Sequence, residues 1–265
     1  TLTIAVLYLL STPPIYTRTA AILVKDNSKS SSSTSAMNDF SDLGIFKSNT
    51  NINNELLTLK SPTLMTEVVN RLGLNETFTI RKGLKNVDLY KVSPVTITFC
   101  DKIEVPLSFT IKFSSKEAFA ISELEISGED IGETLSAQMG DSIQTSAGIM
   151  IVSPTQKFTD VFIGTSIRYV RGSVRAAVDT YSNALVAELG NEDATIINLS
   201  INDTSIRKAE DILNTLIEVY NENWIRDKNQ IAVSTSQFIS DRLGVIESEL
   251  GHVDENISSY KSEHL

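Results

Sequence analysis

From Asp203 to Leu265 no proline interrupts the chain, and apolar residues recur at helical spacing. Ile206, Ala209, Leu213, Leu216, Tyr220 and Trp224 make a first stripe. Ile239, Leu243, Ile246, Leu250, Val253, Ile257 and Tyr260 then step by four and three in strict alternation, a heptad seam of about three repeats. A continuous helix over this stretch is about 90 Å long at 1.5 Å per residue. A compact body of this chain length has a radius of gyration of about 18 Å, so the predicted helix must protrude from it. Asp203 can cap its start. The two stripes do not join in phase through Asn229–Ser236, which predicts a bend or a stutter there. Gly244 and Gly251 lie seven residues apart beside the seam, each at a cost of about 1 kcal/mol relative to alanine. They suit either the close approach of a neighbouring helix or a solvated face.

The opposite end of the chain is equally constrained. Leu2, Ile4, Val6, Leu7, Leu9 and Leu10 dominate an uncharged run that stops at Ser11-Thr12-Pro13-Pro14. As a helix this run covers roughly 15 Å, about half of a hydrocarbon core. It lacks the basic flank and small-residue cleavage site of a signal peptide. The simplest account is the end of a transmembrane helix, with everything after Pro14 on one side of a bilayer. A buried core strand or short helix is the alternative.

Between these ends the pattern changes repeatedly. Tyr16 to Lys25 alternates, with Tyr16, Ala20, Ile22 and Val24 on one face, and reads as a strand. Residues 27–54 lose periodicity around a Ser-rich tract, predicting a flexible excursion in which Phe40, Leu43, Ile45 and Phe46 form a small docked turn. Asn54–Lys60 is helical. A second helix follows, with Ser61 as cap, Pro62 at the first position, Leu64, Met65, Val68 and Leu72 as its stripe, and Gly73 as stop. Val95–Phe99, Leu107–Phe113, Phe119–Ile126 and Gly148–Val152 read as strands in hairpins, with Pro94 and Pro106 at strand starts or edges. Val161–Val170 reads as a strand. Val174, Val178, Tyr181, Leu185 and Leu189 then follow helical spacing up to Gly190, and Ile197, Leu199 and Ile201 alternate with polar residues. Strand, helix, strand with short joints predicts a parallel pair with a right-handed crossover, and hence a mixed sheet.

Chemistry is conspicuously absent from this pattern. The chain of 265 residues carries a net charge of −10, which argues against affinity for phosphate backbones, so no nucleic-acid partner is expected. There is no phosphate-binding loop of the Gly-x-x-x-x-Gly-Lys-Ser/Thr kind and no Gly-x-Gly-x-x-Gly after a strand. The two histidines, His252 and His264, fall on the terminal helix, and with the single cysteine, Cys100, they make no zinc pattern. Cys100 sits in a β-like run and reads as a small buried residue. Glu123/Glu125 and Glu129/Asp130 have the pairing of glycosidase carboxylates, but in so acidic a chain they read as a solvated face. Tyr16, Tyr220 and Trp224 read as packing or membrane-interface residues. No catalytic residue, cofactor or metal is predicted.

Taken in order, these parts resemble the Wzz-type chain-length determinants, the polysaccharide co-polymerases. The resemblance lies in Thr12-Pro13-Pro14-Ile15-Tyr16, the strand Ala20–Val24, and Asn54-Glu55-Leu56-Leu57-x-Leu59-Lys60-Ser61 leading into Leu64-Met65-x-x-Val68-Val69-x-x-Leu72. It continues in Asp203, Ala209, Ile212-Leu213-Asn214, Leu216 and Tyr220, then in Phe238-Ile239-x-Asp241-Arg242-Leu243-x-x-Ile246-x-x-Glu249-Leu250 and Tyr260-Lys261. It covers nearly the whole chain and is strongest toward the branch fused to a cytoplasmic bacterial tyrosine kinase. Asp203-Thr204 stands where the family often has Asp-Pro, and the Ser-rich excursion is longer than in compact members. The resemblance implies an α+β fold with a mixed sheet and packed helices near the membrane. On that division residues 1–14 end the first transmembrane helix, residues 15–203 form a periplasmic base, and residues 204–265 form a helical arm before a second membrane helix. It further implies a bacterial inner-membrane protein that assembles as a homo-oligomeric ring. Its partners would be the polymerase, the export machinery and the growing glycan, whether capsular polysaccharide, exopolysaccharide or O-antigen. The competing expectation is a periplasmic adaptor of a secretion or efflux system, which should carry two matching lipoyl-type half-motifs; no such duplication is visible.

Overall fold

The computed structural model describes residues 12–24, 52–100, 105–190 and 196–264. Leu2, Ile4, Val6, Leu7, Leu9 and Leu10, residues 27–51 and the Phe40–Phe46 turn lie outside the described residues. After strand β1 (Tyr16–Leu23) come helices α1 (Ile52–Leu59) and α2 (Pro62–Leu72), then the hairpin of β2 (Glu76–Lys82) and β3 (Lys85–Asp88). A run of strands follows: β4 (Val95–Phe99), β5 (Leu107–Phe113), β6 (Ala118–Ile126), β7 (Glu129–Asp130), β8 (Leu135–Gln138), β9 (Ser142–Thr145) and β10 (Gly148–Pro154). The chain closes with β11 (Ser166–Arg171), α3 (Val174–Ala184), β12 (Leu185–Leu189), β13 (Ile196–Asp203) and α4 (Ile206–His264). The fold is α+β, with sheets, packed helices and a long C-terminal helix.

Local chemistry accounts for the helix boundaries. The Ser61 hydroxyl accepts a hydrogen bond from the Thr63 N–H at 3.2 Å, and Pro62 opens α2 with a fixed φ. Gly73 closes it at φ 62°, donating its N–H to the Val69 carbonyl, a left-handed conformation that glycine adopts without strain. The stripe between them is buried at Leu64, Met65, Val68 and Val69. Replacing Ser61 with alanine is expected to cost about 1 kcal/mol of stability, read as a lower midpoint in urea denaturation.

Three sheets result. β1, β13 and β12 form one, β4, β10 and β9 a second, and β3, β2, β11, β5, β6 and β7 the third, with β8 also paired to β6. The second and third share a core built on Phe109, Phe113, Phe119, Tyr169, Met150 and Val152, each at most 1% exposed. Tyr169 sits at its centre, its ring 5.0 Å from both Phe78 and Phe109. Pro94 and Pro106 immediately precede β4 and β5, where no ladder needs their missing donor. By contact the chain divides into two compact units. The first contains the sheets, α1 to α3 and α4 as far as Ile217; the second contains α4 from Glu218.

Several expectations are corrected. The parallel pair is not formed: α3 stops at Ala184, Leu185–Leu189 is a strand, and β12 pairs antiparallel with β13. Tyr181, Leu185 and Leu189 are spaced by four, a multiple of both the strand repeat and nearly the helix repeat. The alternation Leu185, Ala187, Leu189 was therefore hidden inside the apparent helical stripe. β11 begins only at Ser166, because Asp160–Phe162 makes a single 3-10 turn before Gly164. Cys100 is exposed, not buried, since it follows the last paired residue of β4. α4 continues as helix through Asn229–Ser236, which is compatible with the bend or stutter expected there.

Candidate functional site

A group of interacting, largely buried charges lies at the start of α4. Asp203, the last residue of β13, accepts a hydrogen bond from the Ser205 N–H at 2.7 Å. The Ser205 hydroxyl in turn accepts the Lys208 N–H at 3.4 Å, so the capping predicted for Asp203 is shared between two residues. Lys208 then points back into the body. Its Nζ lies 2.5 Å from Asp88 at the end of β3 and 3.4 Å from Asp203, with all three side chains between 10% and 13% exposed. Asp88 also accepts the Tyr90 N–H at 3.0 Å, and the Tyr181 hydroxyl of α3 completes the group around Lys208.

Neighbouring ion pairs extend the anchorage. Arg18 of β1 meets Glu210 at 2.8 Å, and Lys91 meets Asp211 at 2.6 Å. Lys208, Glu210 and Asp211 on the first turns of α4 are thereby tied to β3 and β13, to β1 and to the segment after β3 respectively. Packing supports them: Ala209, Ile212, Leu213 and Leu216 are buried. Beside this root is a cleft of about 300 Å³, lined by Leu72, Leu74, Phe78, Leu89, Tyr181 and Lys208 among others.

The electrostatics of this group suit holding, not proton transfer. Burial alone would lower the Lys208 pKa, but Tyr181, Asp88 and Asp203 outweigh it and leave the ammonium held above its ordinary range. Burial raises the Tyr181 hydroxyl, with Asp203 and Asp88 adding to the rise and Lys208 opposing it. Burial likewise raises Tyr90, with Asp211 adding to the effect. At neutral pH the lysine is therefore cationic and both phenols neutral, so none of these three groups is poised near the operating pH as a general base or acid. The linkage to stability has a definite sign. Lys208, Tyr90, Tyr181 and the buried core residue Tyr169 all bind their protons more tightly folded than unfolded. Their contributions are fully present below the unfolded values of about 10 to 10.5 and are lost as pH rises beyond them. The thermal midpoint is expected to fall steeply above pH 10, and a Tyr181→Phe variant should fall less steeply in the same titration.

The residues singled out in the sequence are dispersed. Glu123 and Glu125 lie on the outer face of β6 with Arg168, 2.9 Å from Glu125, and accept hydrogen bonds from Thr110 and Ser108. A bulge in the β5–β6 register, with Glu123 at φ 54°, places both carboxylates on this face. Glu129 and Asp130 are exposed on β7. His252 is exposed on α4. Among the described residues no His, Cys, Asp and Glu cluster is arranged to hold a metal. Pro13 and Pro14 lead into β1 as predicted, Pro13 half-buried and Pro14 exposed. Ile239, Leu243, Ile246, Leu250, Val253, Ile257 and Tyr260 lie on α4 with exposures between 42% and 66%. Trp224 is also exposed, with Lys228 5.5 Å from its ring centre, while Tyr220 is buried. Among the described residues no helix is long and apolar enough to cross a membrane.

Sequence reasoning missed the Lys208 group. One signal was available: α4 opens Ile206-Arg207-Lys208 with no acidic residue in its first turn, so two cations stand where the helix dipole disfavours them. Such a placement implies carboxylates brought in from elsewhere. Residues 1–72 match the family model of Wzz, the chain length determinant protein; the matched stretch takes in β1, α1 and α2. No curated protein matches the chain.

Proposed function

We propose that the chain is the periplasmic, non-catalytic part of an inner-membrane polysaccharide co-polymerase. In this reading it sets the length and export of a surface polysaccharide by assembling with copies of itself. The observation that carries it is the match of residues 1–72 to the chain length determinant model. Residues 1–14 would end the first transmembrane helix, with Leu2, Ile4, Val6, Leu7, Leu9 and Leu10 in lipid and Pro13 and Pro14 at the interface. Residues 15–203 form the base and residues 204–265 the arm, which a second membrane helix follows. The ion pairs that fix the first turns of α4 support a mechanical role, since they tie the arm's root to β1, to the end of β3 and to the segment after it.

The mechanism is geometric. Copies associate into a ring, the ring engages the polymerase, the export machinery and the growing glycan, and the number and spacing of protomers bias when elongation stops. Capsular polysaccharide, exopolysaccharide and O-antigen are the glycan classes that fit. The resemblance to the kinase-fused branch extends the proposal to a cytoplasmic tyrosine kinase in the same polypeptide. Reading the gene past Leu265 for a second apolar span and a Gly-x-x-x-x-Gly-Lys-Ser/Thr loop tests that extension.

Deletion of the gene followed by complementation tests the central proposal. Surface polysaccharide from the deletion strain is expected to lose its modal length on a gel, and the intact gene to restore it. An unaltered distribution in the deletion strain would overturn the reading.

A further inference from the structure

The cleft beside the root of α4 lies within the first unit. Around it meet the end of α2, β2, the segment from Asp88 to Ser93, the segment after β10, α3 and the first turn of α4. Hydrogen bonds between these parts fix its walls. The Leu89 N–H donates to the Phe78 carbonyl at 2.8 Å, and the Val92 N–H to the Leu89 carbonyl at 2.9 Å. The Thr155 hydroxyl donates to the Ser93 carbonyl at 2.7 Å and accepts the Lys157 N–H at 3.1 Å. One side chain thus ties two segments together and sets where Lys157 leaves the backbone. A cleft braced in this way is pre-formed, as small-molecule sites usually are, and about 300 Å³ is the lower end of their range. It suits one compact unit, not an extended chain.

The lining is mixed. Phe78 and three leucines supply apolar surface, and Tyr90, Ser93 and Thr155 bring hydroxyls to the same cleft. An acyl chain would leave the polar groups desolvated, and a bare anion would leave the apolar surface uncovered. A sugar ring matches both, with C–H faces and a rim of hydroxyls. The charge of the lining reverses that of the chain. Across the sequence 33 acidic residues outnumber 23 basic ones, whereas in the cleft Lys91, Lys157 and Lys208 stand against Glu76 and Asp88. Both carboxylates are already compensated, Asp88 by Lys208 and Glu76 by Arg171 at 3.7 Å. Lys91 is taken up by Asp211 at 2.6 Å. Lys157 is exposed and, among the described residues, makes no ion pair, so its ammonium is the cation left to meet a ligand carboxylate.

We propose that this cleft binds a single hexuronate residue, its ring against Phe78 and the leucines and its carboxylate on Lys157. A sugar as occupant rests on the reading of the chain as a chain-length determinant; a compact, anionic ligand rests on the cleft alone. Because Lys208 belongs both to the lining and to the first turn of α4, occupancy bears directly on the root of the arm. The test uses the full-length protein in detergent and the methyl glycosides of glucuronate and galacturonate, with methyl glucoside and acetate as controls. At least one uronate should bind saturably in calorimetric titration, with a Kd on the order of 1 mM for a ligand of this size. Methyl glucoside and acetate should each bind at least tenfold more weakly. Bound uronate should slow amide exchange in residues 88–93 and 155–157 and in the first turn of α4. Lys157→Gln, which alters an exposed side chain, should keep the thermal midpoint of the unliganded protein, weaken the uronate at least tenfold and leave methyl glucoside unchanged. The proposal is overturned by the absence of binding of either uronate, by acetate binding as tightly, by slowed exchange only elsewhere, or by a Lys157→Gln variant that binds like the parent. Polysaccharide length in cells separates the two readings. Loss of the modal length on gene deletion without uronate binding would discard this site and leave the chain-length role standing; uronate binding with unaltered length on deletion would do the reverse.

Discussion

Replacing Lys208 with methionine is expected to destabilise the first unit by about 3–5 kcal/mol, the penalty for leaving buried charges without their partner. Asp88 and Asp203 are both nearly enclosed, and the ammonium within 2.5 Å and 3.4 Å of them is what compensates their desolvation. Methionine keeps most of the side-chain volume, so the loss reports charge and hydrogen bonding more than packing. The second half of the test is a rescue. Adding Asp88→Asn to Lys208→Met removes one stranded carboxylate and should restore more than half of the lost stability, measured by urea denaturation at neutral pH. Asp203 is left in place because it also holds the Ser205 N–H. A Lys208→Met variant within about 1 kcal/mol of the parent would show that the three groups are hydrated in solution and that the root of α4 is held by packing alone.

The contrast between what could and could not be foreseen follows from the range of the interactions. α2 was legible from Ser61, Pro62 and Gly73 because a cap, a first-position proline and a left-handed stop act within a few residues. Strands β4, β5, β6 and β10 were legible from alternation bounded by proline and glycine. The β2–β3 hairpin was missed although Gly83 marks its turn, because Thr77, Thr79 and Arg81 make too polar a run to stand out as a strand. β12 was lost to a spacing that two periodicities share. The Lys208 group was out of reach for a different reason. Its principal contact joins residues 120 positions apart, and only the folded sheet brings the end of β3 to the start of α4. The seam on α4 is legible as a pattern of apolar residues, but pattern alone does not say what covers it.

That question gives the second large effect. In the single chain Leu243 and Leu250 are 54% and 59% exposed, so neither contributes much to the chain's own stability. If the seam is buried between copies, each leucine contributes on the order of 1 kcal/mol or more to association, and an aspartate in its place also carries the cost of burying a carboxylate. Leu243→Asp with Leu250→Asp is therefore expected to weaken self-association of the full-length protein by roughly 100-fold or more, seen by mass photometry in detergent. The thermal midpoint of the dissociated chain should stay where it is. Leu243, Leu250 and Ile257 alternate along the seam with Ile239, Ile246 and Val253, and leucine at the first heptad position with isoleucine at the fourth favours bundles of more than two strands. Exchanging Leu243 and Leu250 for isoleucine and Ile239 and Ile246 for leucine should then lower the number of associating chains without abolishing association. Gly244 and Gly251 distinguish the remaining cases, because a methyl group added at either meets nothing within 4 Å in the single chain. Gly244→Ala should stabilise the isolated helix by about 1 kcal/mol. If it nevertheless weakens association, a neighbouring helix passes over the glycine face as well as the seam. If association is unchanged, the seam is the whole of the contact along the arm. An unaltered mass distribution in the double aspartate variant would remove the arm from assembly altogether and leave the base to carry it.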